Sequence, residues 1–498
     1  LNPIDTVVGW LDPERGLKRV RARAAMQLAK RSYEGAKLGR RADGWQANSK
    51  SGNAELGNDL VRLRDRSRDL VRNYPYATQA LANLESDLIG TGILARTTSP
   101  KVAALWSAWC KVCDAEGQSG FEAMQGLVVR AMIEGGDALI RRRPRKMSDG
   151  LPVPLQLQPM EGDFLDHNKT GIFAGNLVIQ GVEFDAIGAR AAYWLFDRHP
   201  GDIAVGLGRN SLSLESRRVP ASEIIHLFRA PRLGQVRGTP WFHAAINPAR
   251  DSDDYEDAEA MRKKIESCLA AFVTSTGDEA APIGNTRTDA QGRRIESIEP
   301  GMIAYLDAGQ EVTTTSPAQG GDYGAFMQVS HRKVAAGMHN TYEDMTGDLS
   351  NVNYTSYRAG HVRHWRMIDM VRWQTVIPVL CDRVWNWFAE AALIAGTLTE
   401  NDLRGGVVWT PPRRESVDPD KDTRAQQRAI RNGILLWEDA VAENGGDPAA
   451  QLAAIQRTNE RLDAAGVVLD CDPRKVTMTG SASNLSDNGE GNGQTEAK

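Results

Sequence analysis

The chain reads as an α+β protein, mainly helical. Three observations predict this. Leucines recur at helical spacing from Leu56 to Leu88, short β-rich runs broken by prolines occupy 139–228, and a second turn-rich, β-rich insertion at 273–321 lies between helical stretches. At 498 residues the chain is long enough for two to four domains, each with its own core. Apolar residues make up 41% and charged residues 25%, as in an ordinary globular protein. The 12 Trp outnumber both Tyr and Phe, so several large rings are expected in cores or between subunits.

Residues 1–54 read as a basic, partly helical arm: Arg15 to Arg41 holds ten Lys or Arg against one acid, Glu34. The helix starting near Leu56 is interrupted at Pro75, which begins a new helix in its first turn, and Gly90 and Gly92 end it. Amphipathic helices follow at 100–115 and 120–134. The β unit runs through Leu155–Leu157, Gly171–Gly181, Ala191–Phe196 and Glu223–Phe228, punctuated by prolines such as Pro159, Pro200 and Pro220.

Residues 241–272 predict a helix whose acidic first half and basic second half match the helix dipole. After the insertion, Asp322 to Thr341 is again helical, 343–353 is polar and loop-like, and Tyr354 to Ala395 is a long helical run that Pro378 must kink or break. Two amphipathic helices are expected near Arg424–Asn444 and Pro448–Leu462, and 474–498 reads as a disordered tail.

Net charge is only −4, whereas a tight duplex binder is usually strongly basic, because its affinity comes from neutralising phosphates. The charge is local instead. Against the basic arm stands Asp251–Glu266, with seven acids and three bases, so one surface attracts an anionic partner and another repels one. No apolar run has the length of a membrane span, no secretory signal is visible, and five sparse cysteines fit a reducing compartment. The expectation is a soluble protein made in the cytoplasm.

No phosphate-cradling loop, zinc-protease motif or nucleophile elbow is present. Cys110 and Cys113 form a lone C-x-x-C without a second ligand pair; Trp106, Trp109 and Cys113 share one helical stripe, which favours packing. His361 and His364 could face one metal, but contact with an interface or solvent is favoured. The acids of 251–259 could hold a cation, serving a metal-dependent nuclease, or form a solvated helix face. The arm at 15–41 could be a plain DNA-binding module. No catalytic site, metal or cofactor is expected.

Several segments together resemble the lambda family of phage portal proteins. They are Leu63 to Ala77 with Ile89-Gly90-Thr91-Gly92-Ile93; Trp106-x-x-Trp109; Gly181 to Asp185 leading to Ala192-Tyr193-Trp194; Val219-Pro220-Ala221 through His226; Arg232-x-Gly234-Gln235-x-Arg237-Gly238; Asn353-Tyr354-Thr355-Ser356-Tyr357-Arg358, with Thr355 where the family has Ser; and Val417-Asp418-Pro419-x-Lys421-Asp422 with Asn432-Gly433. Their order covers about 60–473.

The resemblance implies a portal fold with wing, two-helix stem, clip and helical crown around a central channel, normally in a ring of twelve. The wing falls at 55–240 plus the helix 354–396, the stem at 241–272 and 322–341, the clip at 273–321, the tunnel loop at 342–353 and the crown at 397–473. The implied partners are other copies of the chain, double-stranded DNA, the terminase large subunit, a head-completion adaptor, and the major capsid and scaffold proteins, with no membrane. The implied place is a capsid vertex of the virion, after assembly in the bacterial cytoplasm. Twelve helices at about 10 Å spacing make a ring about 38 Å across, leaving a hole of about 28 Å for a duplex of about 20 Å. The lumen candidates on the stem are Asp253, Asp254, Asp257 and Lys264. The tunnel-loop candidates are Glu343, Asp344, Asp348, Asn351 and Asn353, in a flexible, weakly hydrogen-bonding loop that has no Lys or Arg. Arg287, Arg293 and Arg294 are docking candidates on the clip, or the exposed tip of a hairpin.

Overall fold

The computed structural model describes residues 51–202, 215–267, 323–414 and 418–469, the strands at 271–275, 285–288, 294–297 and 310–314, and scattered positions in 1–50 and at 474; from 265 to 314 only backbone is described. The chain divides into units of residues 1–51 and 52–498. In the first, Arg15 pairs with Asp12 at 3.3 Å; most of the predicted basic arm lies outside the described residues.

In the second unit a short helix, α1 (Gly52–Leu56), precedes α2 (Leu60–Asn73) and α3 (Pro75–Leu88). The break between α2 and α3 is the one Pro75 dictates: it sits at the first helical position, where its missing N–H costs nothing. β1 (Leu94–Arg96), α4 (Pro100–Cys110) and α5 (Phe121–Gly135) follow, with the Ser99 side chain capping α4. α5 is apolar on nearly every face and correspondingly central, burying Phe121, Met124, Val128, Val129, Met132 and Ile133. Its one buried amide, Gln125, bonds both the N–H and the C=O of Ile93, so no polar group there is stranded.

Two sheets form the β unit. β2 (Asp137–Pro144) lies between β3 (Leu155–Glu161) and β9 (Ile224–Phe228). β4 (Gly171–Phe173), β5 (Asn176–Ile179), β6 (Val182–Phe184), β7 (Arg190–Leu195) and β8 (Arg217–Pro220) make a five-stranded antiparallel meander. A small core of Leu139, Met160, Leu165, Val182, Tyr193, Leu195 and Ile224 joins the two sheets. Sequence periodicity missed β2 because its second half, Arg141-Arg142-Arg143, looks like exposed loop.

α6 (Ile246–Ser267) begins after a single-turn 3₁₀ helix at Trp241–Ala244. The helix expected over 241–272 is thus shorter at both ends, and residues from Ala271 belong to β10 (Ala271–Ser275), where β-branched and aromatic residues replace the helix formers. β10 pairs with β13 (Gln310–Thr314), and β11 (Asn285–Thr288) with β12 (Arg294–Ser297), so the insertion is β-structured as predicted. α7 (Tyr323–Gly337) returns.

Other expectations are corrected or narrowed as well. The stretch 342–353 is not loop throughout: Thr341 accepts from the Asp344 N–H and starts a helical turn, α8 (Tyr342–Thr346), which Gly347 closes in the left-handed region. Pro378, expected to kink or break the long helix, does not break it. α9 (Tyr354–Val371) and α10 (Asp382–Ile394) are joined by a π-helical segment, Arg372–Cys381, that contains it. Wider turns relieve the clash of a proline ring with the preceding carbonyl and absorb the missing hydrogen bond. β14 (Val408–Thr410) pairs with β1. The helix expected over 424–444 is two helices, α11 (Pro419–Arg431) and α12 (Trp437–Glu443), divided where Gly433 takes a positive φ; α13 (Pro448–Ala465) follows.

Several tryptophans sit in a core, as composition predicted, while Trp373 is exposed. Trp106 lies 4.9–6.1 Å, ring to ring, from Phe121, Trp385, Phe388 and Trp409, binding α4, α5, α10 and β14 into one aromatic core.

Candidate functional site

The candidate site is the α6–α7 hairpin with the segment following α7. The two helices pack through Tyr255, whose ring lies 4.6 Å from Phe326 and 6.0 Å from Tyr323, and through the His331–Glu256 pair at 3.1 Å. Those contacts define the inward side of α6. Asp253, Asp254, Asp257 and Lys264 are exposed, with Asp254 turned farthest from that side and Asp253 at its edge. At 100° per residue they fall within an arc of about 100°, so three carboxylates and one ammonium share a single stripe. Arg250 lies on the same face, with its Nε 3.9 Å from Asp254, while Glu256 points to His331 and Glu259 to Arg262, which holds its carboxyl below the usual range. The carboxylates of 251–259 therefore do not converge as a nuclease centre would need. α7 presents a different outward face, Val329, Arg332 and Lys333, without an acid.

The segment 341–353 is more ordered by hydrogen bonds than its composition suggested. Tyr342 Oη donates to Asp348 at 2.9 Å, and Asp348 accepts from the hydroxyl and N–H of Ser350, which keeps its carboxyl low. Asp344 accepts from the Thr341 hydroxyl, and its backbone carbonyl accepts from Asn83 of α3, so α3 holds this turn in place. Asn353 caps α9, accepting from the Ser356 N–H at 2.9 Å while Ser356 bonds back. The side chain of Asn353 thus has a local structural role that the polar reading missed; an Asx residue three before a hydroxyl was the available signal. Glu343 is half-buried and Asn351 exposed.

Arg287 lies on β11 and Arg294 on β12, two strands of one hairpin, and Arg293 lies outside the described residues. His361 and His364 each face a different carboxylate, Asp344 at 3.5 Å and Asp87 at 2.8 Å, so they do not point at one shared ligand position. Cys110 and Cys113 are buried, and burial pushes the Cys113 thiol up to about 12, far from a reactive thiolate. Among the described residues, Glu161, Asp163 and His199 form the gathered set of possible metal ligands; Arg68 already occupies it, 2.6 Å from each carboxylate.

The site is positioned by a buried charge cluster that sequence reasoning missed. Asp137 lies under Arg64, Arg237 and His226, all buried. Arg237 belongs to a segment noted for its motif, but its partner is 100 residues away and could not be read from spacing. Next to it, Gly136 (φ +95°) and Gly238 meet backbone to backbone; a Cβ on Gly238 would lie 1.8 Å from the Gly136 oxygen. Only glycine permits this approach, which leads directly into Trp241 and the start of α6.

Comparison with known proteins agrees over most of the chain. The profile described as "Phage portal protein, lambda family" matches residues 38–372. The "Probable portal protein" of Halomonas phage phiHAP-1 is 26% identical over 467 residues, 88% of each chain. "Portal protein B" of Escherichia phage lambda is 22% identical over 489 residues, covering 87% of this chain and 90% of that one. Among solved structures, a chain of the "Virion of native gene transfer agent (GTA) particle" aligns over 78% of this chain and 94% of its own, at 14% identity and a TM-score of 0.43.

Proposed function

Because the chain belongs to the lambda family of phage portal proteins, structural vertex components of the phage head, we propose that it assembles into a ring whose channel passes DNA during packaging and ejection. In this reading α6 and α7 are the stem, 273–321 the clip, 342–353 the tunnel loop, 55–240 with 354–396 the wing, and 397–473 the crown. The clip, with Arg287, Arg293 and Arg294, docks the terminase large subunit and later the head-completion adaptor. The capsid and scaffold proteins surround the ring at its vertex, and assembly takes place in the host cytoplasm. No catalytic step is assigned to the chain.

One observation carries the reading: the exposed stripe of Asp253, Asp254, Asp257 and Lys264 on α6, where carboxylates outnumber cations even with Arg250 on the same face. A cationic wall would hold phosphates with the steep salt dependence of counterion release and so brake a moving duplex; a wall of carboxylates leaves it free. α7, with Arg332 and Lys333 outward, would do the opposite, so α6 is the helix that lines the lumen. Glu343, Asp344, Asp348, Asn351 and Asn353 continue this acidic and neutral lining.

Electron microscopy of the purified full-length chain tests the assembly. Rings with an open centre of about 28 Å are expected, together with a light-scattering mass near twelve subunits. A monomer under every condition overturns the reading.

A further inference from the structure

β2 carries an arginine ladder that the conduit does not use. Its first half is buried, and its alternation sends Ala138, Ile140 and Arg142 to one face and Leu139, Arg141 and Arg143 to the other, with Arg145 continuing the second set. The N–H of Arg145 still bonds Pro154, so the chain remains extended there. Same-face residues on a strand repeat every 6.6 Å or so, and three guanidiniums therefore span about 13 Å in one line.

What surrounds them is informative. Arg142, on the opposite face, pairs with Glu390 at 2.8 Å. Among the described residues, none of Arg141, Arg143 and Arg145 forms an ion pair. Their cross-strand neighbours on β3 are amides: Arg143 Nε donates to Gln158 at 2.9 Å and Arg145 Nε to Gln156 at 2.8 Å. Gln156 is itself anchored on the carbonyls of Val112 and Asp114. The glutamines therefore aim two guanidiniums without neutralising them. Burial, then Arg141 and Arg145, push the Arg143 guanidinium below its ordinary range; the acids it feels are Glu223 and Asp197, and Asp197 is taken by Arg217 at 3.2 Å. Glutamates at 156 and 158 would have made cross-strand ion pairs and removed the repulsion. The fold instead keeps three like charges together.

We propose that Arg141, Arg143 and Arg145 form a binding site for the phosphate backbone of duplex DNA, on the β2 face rather than in the conduit. Arginine forks match phosphate oxygens two at a time. An acidic protein partner would want an apolar anchor beside the charges; Ile224, the β9 neighbour of Arg141, is fully buried, and the exposed Met147 lies beyond the end of β2. Single strands would want aromatic platforms, and among the described residues no exposed aromatic side chain lies on β2, β3 or β9. Here DNA is held; on α6 it is let go. The two readings are independent, since neither face is needed by the other.

The test uses the full-length chain, a triple variant with Arg141→Gln, Arg143→Gln and Arg145→Gln, and a second triple with Lys at the same positions. Binding of a labelled duplex is followed by fluorescence anisotropy across a salt series, and melting and ring mass are measured on the same samples. We expect the Gln triple to lower the slope of log K against log salt by up to about 2.7, roughly 0.9 per lost phosphate contact, and the Lys triple to keep it. If the Gln triple does not fold, Arg143→Gln alone should lower the slope by about 0.9. An unchanged slope in a folded variant overturns the proposal, as does loss of poly-glutamate binding with duplex binding intact, which would assign the face to an acidic protein. Loss of rings with the slope unchanged also overturns it, and would assign the three arginines to assembly of the ring instead.

Discussion

At Asp137 two buried guanidiniums share one carboxylate: Arg64 Nη2 lies 3.0 Å from Oδ1, and Arg237 donates to both oxygens. His226 completes the set, its Nδ1 facing Arg190 at 2.9 Å and its Nε2 facing Asp137 at 3.2 Å. Arginine can only donate, so Nδ1 accepts, and the ring is neutral with its proton on Nε2. Burial, opposed by Asp137, holds this imidazole down to about 4, while Arg237 and the other cations keep the Asp137 carboxyl well below its ordinary value. Both shifts act in one direction. The unfolded chain binds the histidine's proton first, so stability falls as pH drops from about 6.5 toward 4, and the Asp137 contribution fades below about 3.8. Melting temperature against pH should show that decline, shallower in His226→Gln. Asp137→Asn leaves two buried cations without a counter-charge, and chemical unfolding should register a loss of about 3–5 kcal/mol.

Helix boundaries show what local chemistry decides and what it does not. Pro75, Pro100 after the Ser99 cap, and Pro448 after Asp447 each open a helix where the sequence places them. Asp447→Ala should cost about 1 kcal/mol in thermal unfolding, the usual loss when an N-cap is removed. At Pro378 a proline excludes regular α-helix, as expected, but not a π segment, and the choice between a break and a wide turn is made by packing: Val376, Ile377, Leu380 and Cys381 are all buried. On α6, helical spacing puts Asp253, Asp257 and Lys264 on one face, with Asp254 about 100° from Asp253. The Asp137 cluster was not legible in the sequence, because Arg64 and Arg237 lie 73 and 100 residues from it and only tertiary structure brings them together. For the same reason the Gly136–Gly238 approach carried no local signal; Gly238→Ala should destabilise by more than about 2 kcal/mol, as overpacking does.

For the whole molecule, the opposed charges of α6 and α7 make the conduit reading testable beyond ring formation. Rings bearing Asp253→Lys and Asp257→Lys should retain duplex DNA more tightly at low salt, with a steeper salt slope, whereas charge changes at Lys333 should leave passage through the lumen unaffected. The reverse pattern would mean that α7 faces the duplex.

The shared carboxylate at Asp137 has a consequence for anyone trying to dissect this protein. Arg64 arrives from α2, Asp137 from β2, His226 from β9 and Arg237 from the link to α6, so the helical and sheet regions are fastened at one point inside the molecule. A chimaera that imports the β unit from a relative must bring its matching cations along, and a fragment cut between 73 and 137 would strand an ionised acid in an apolar interior. Modularity on paper ends at that atom pair.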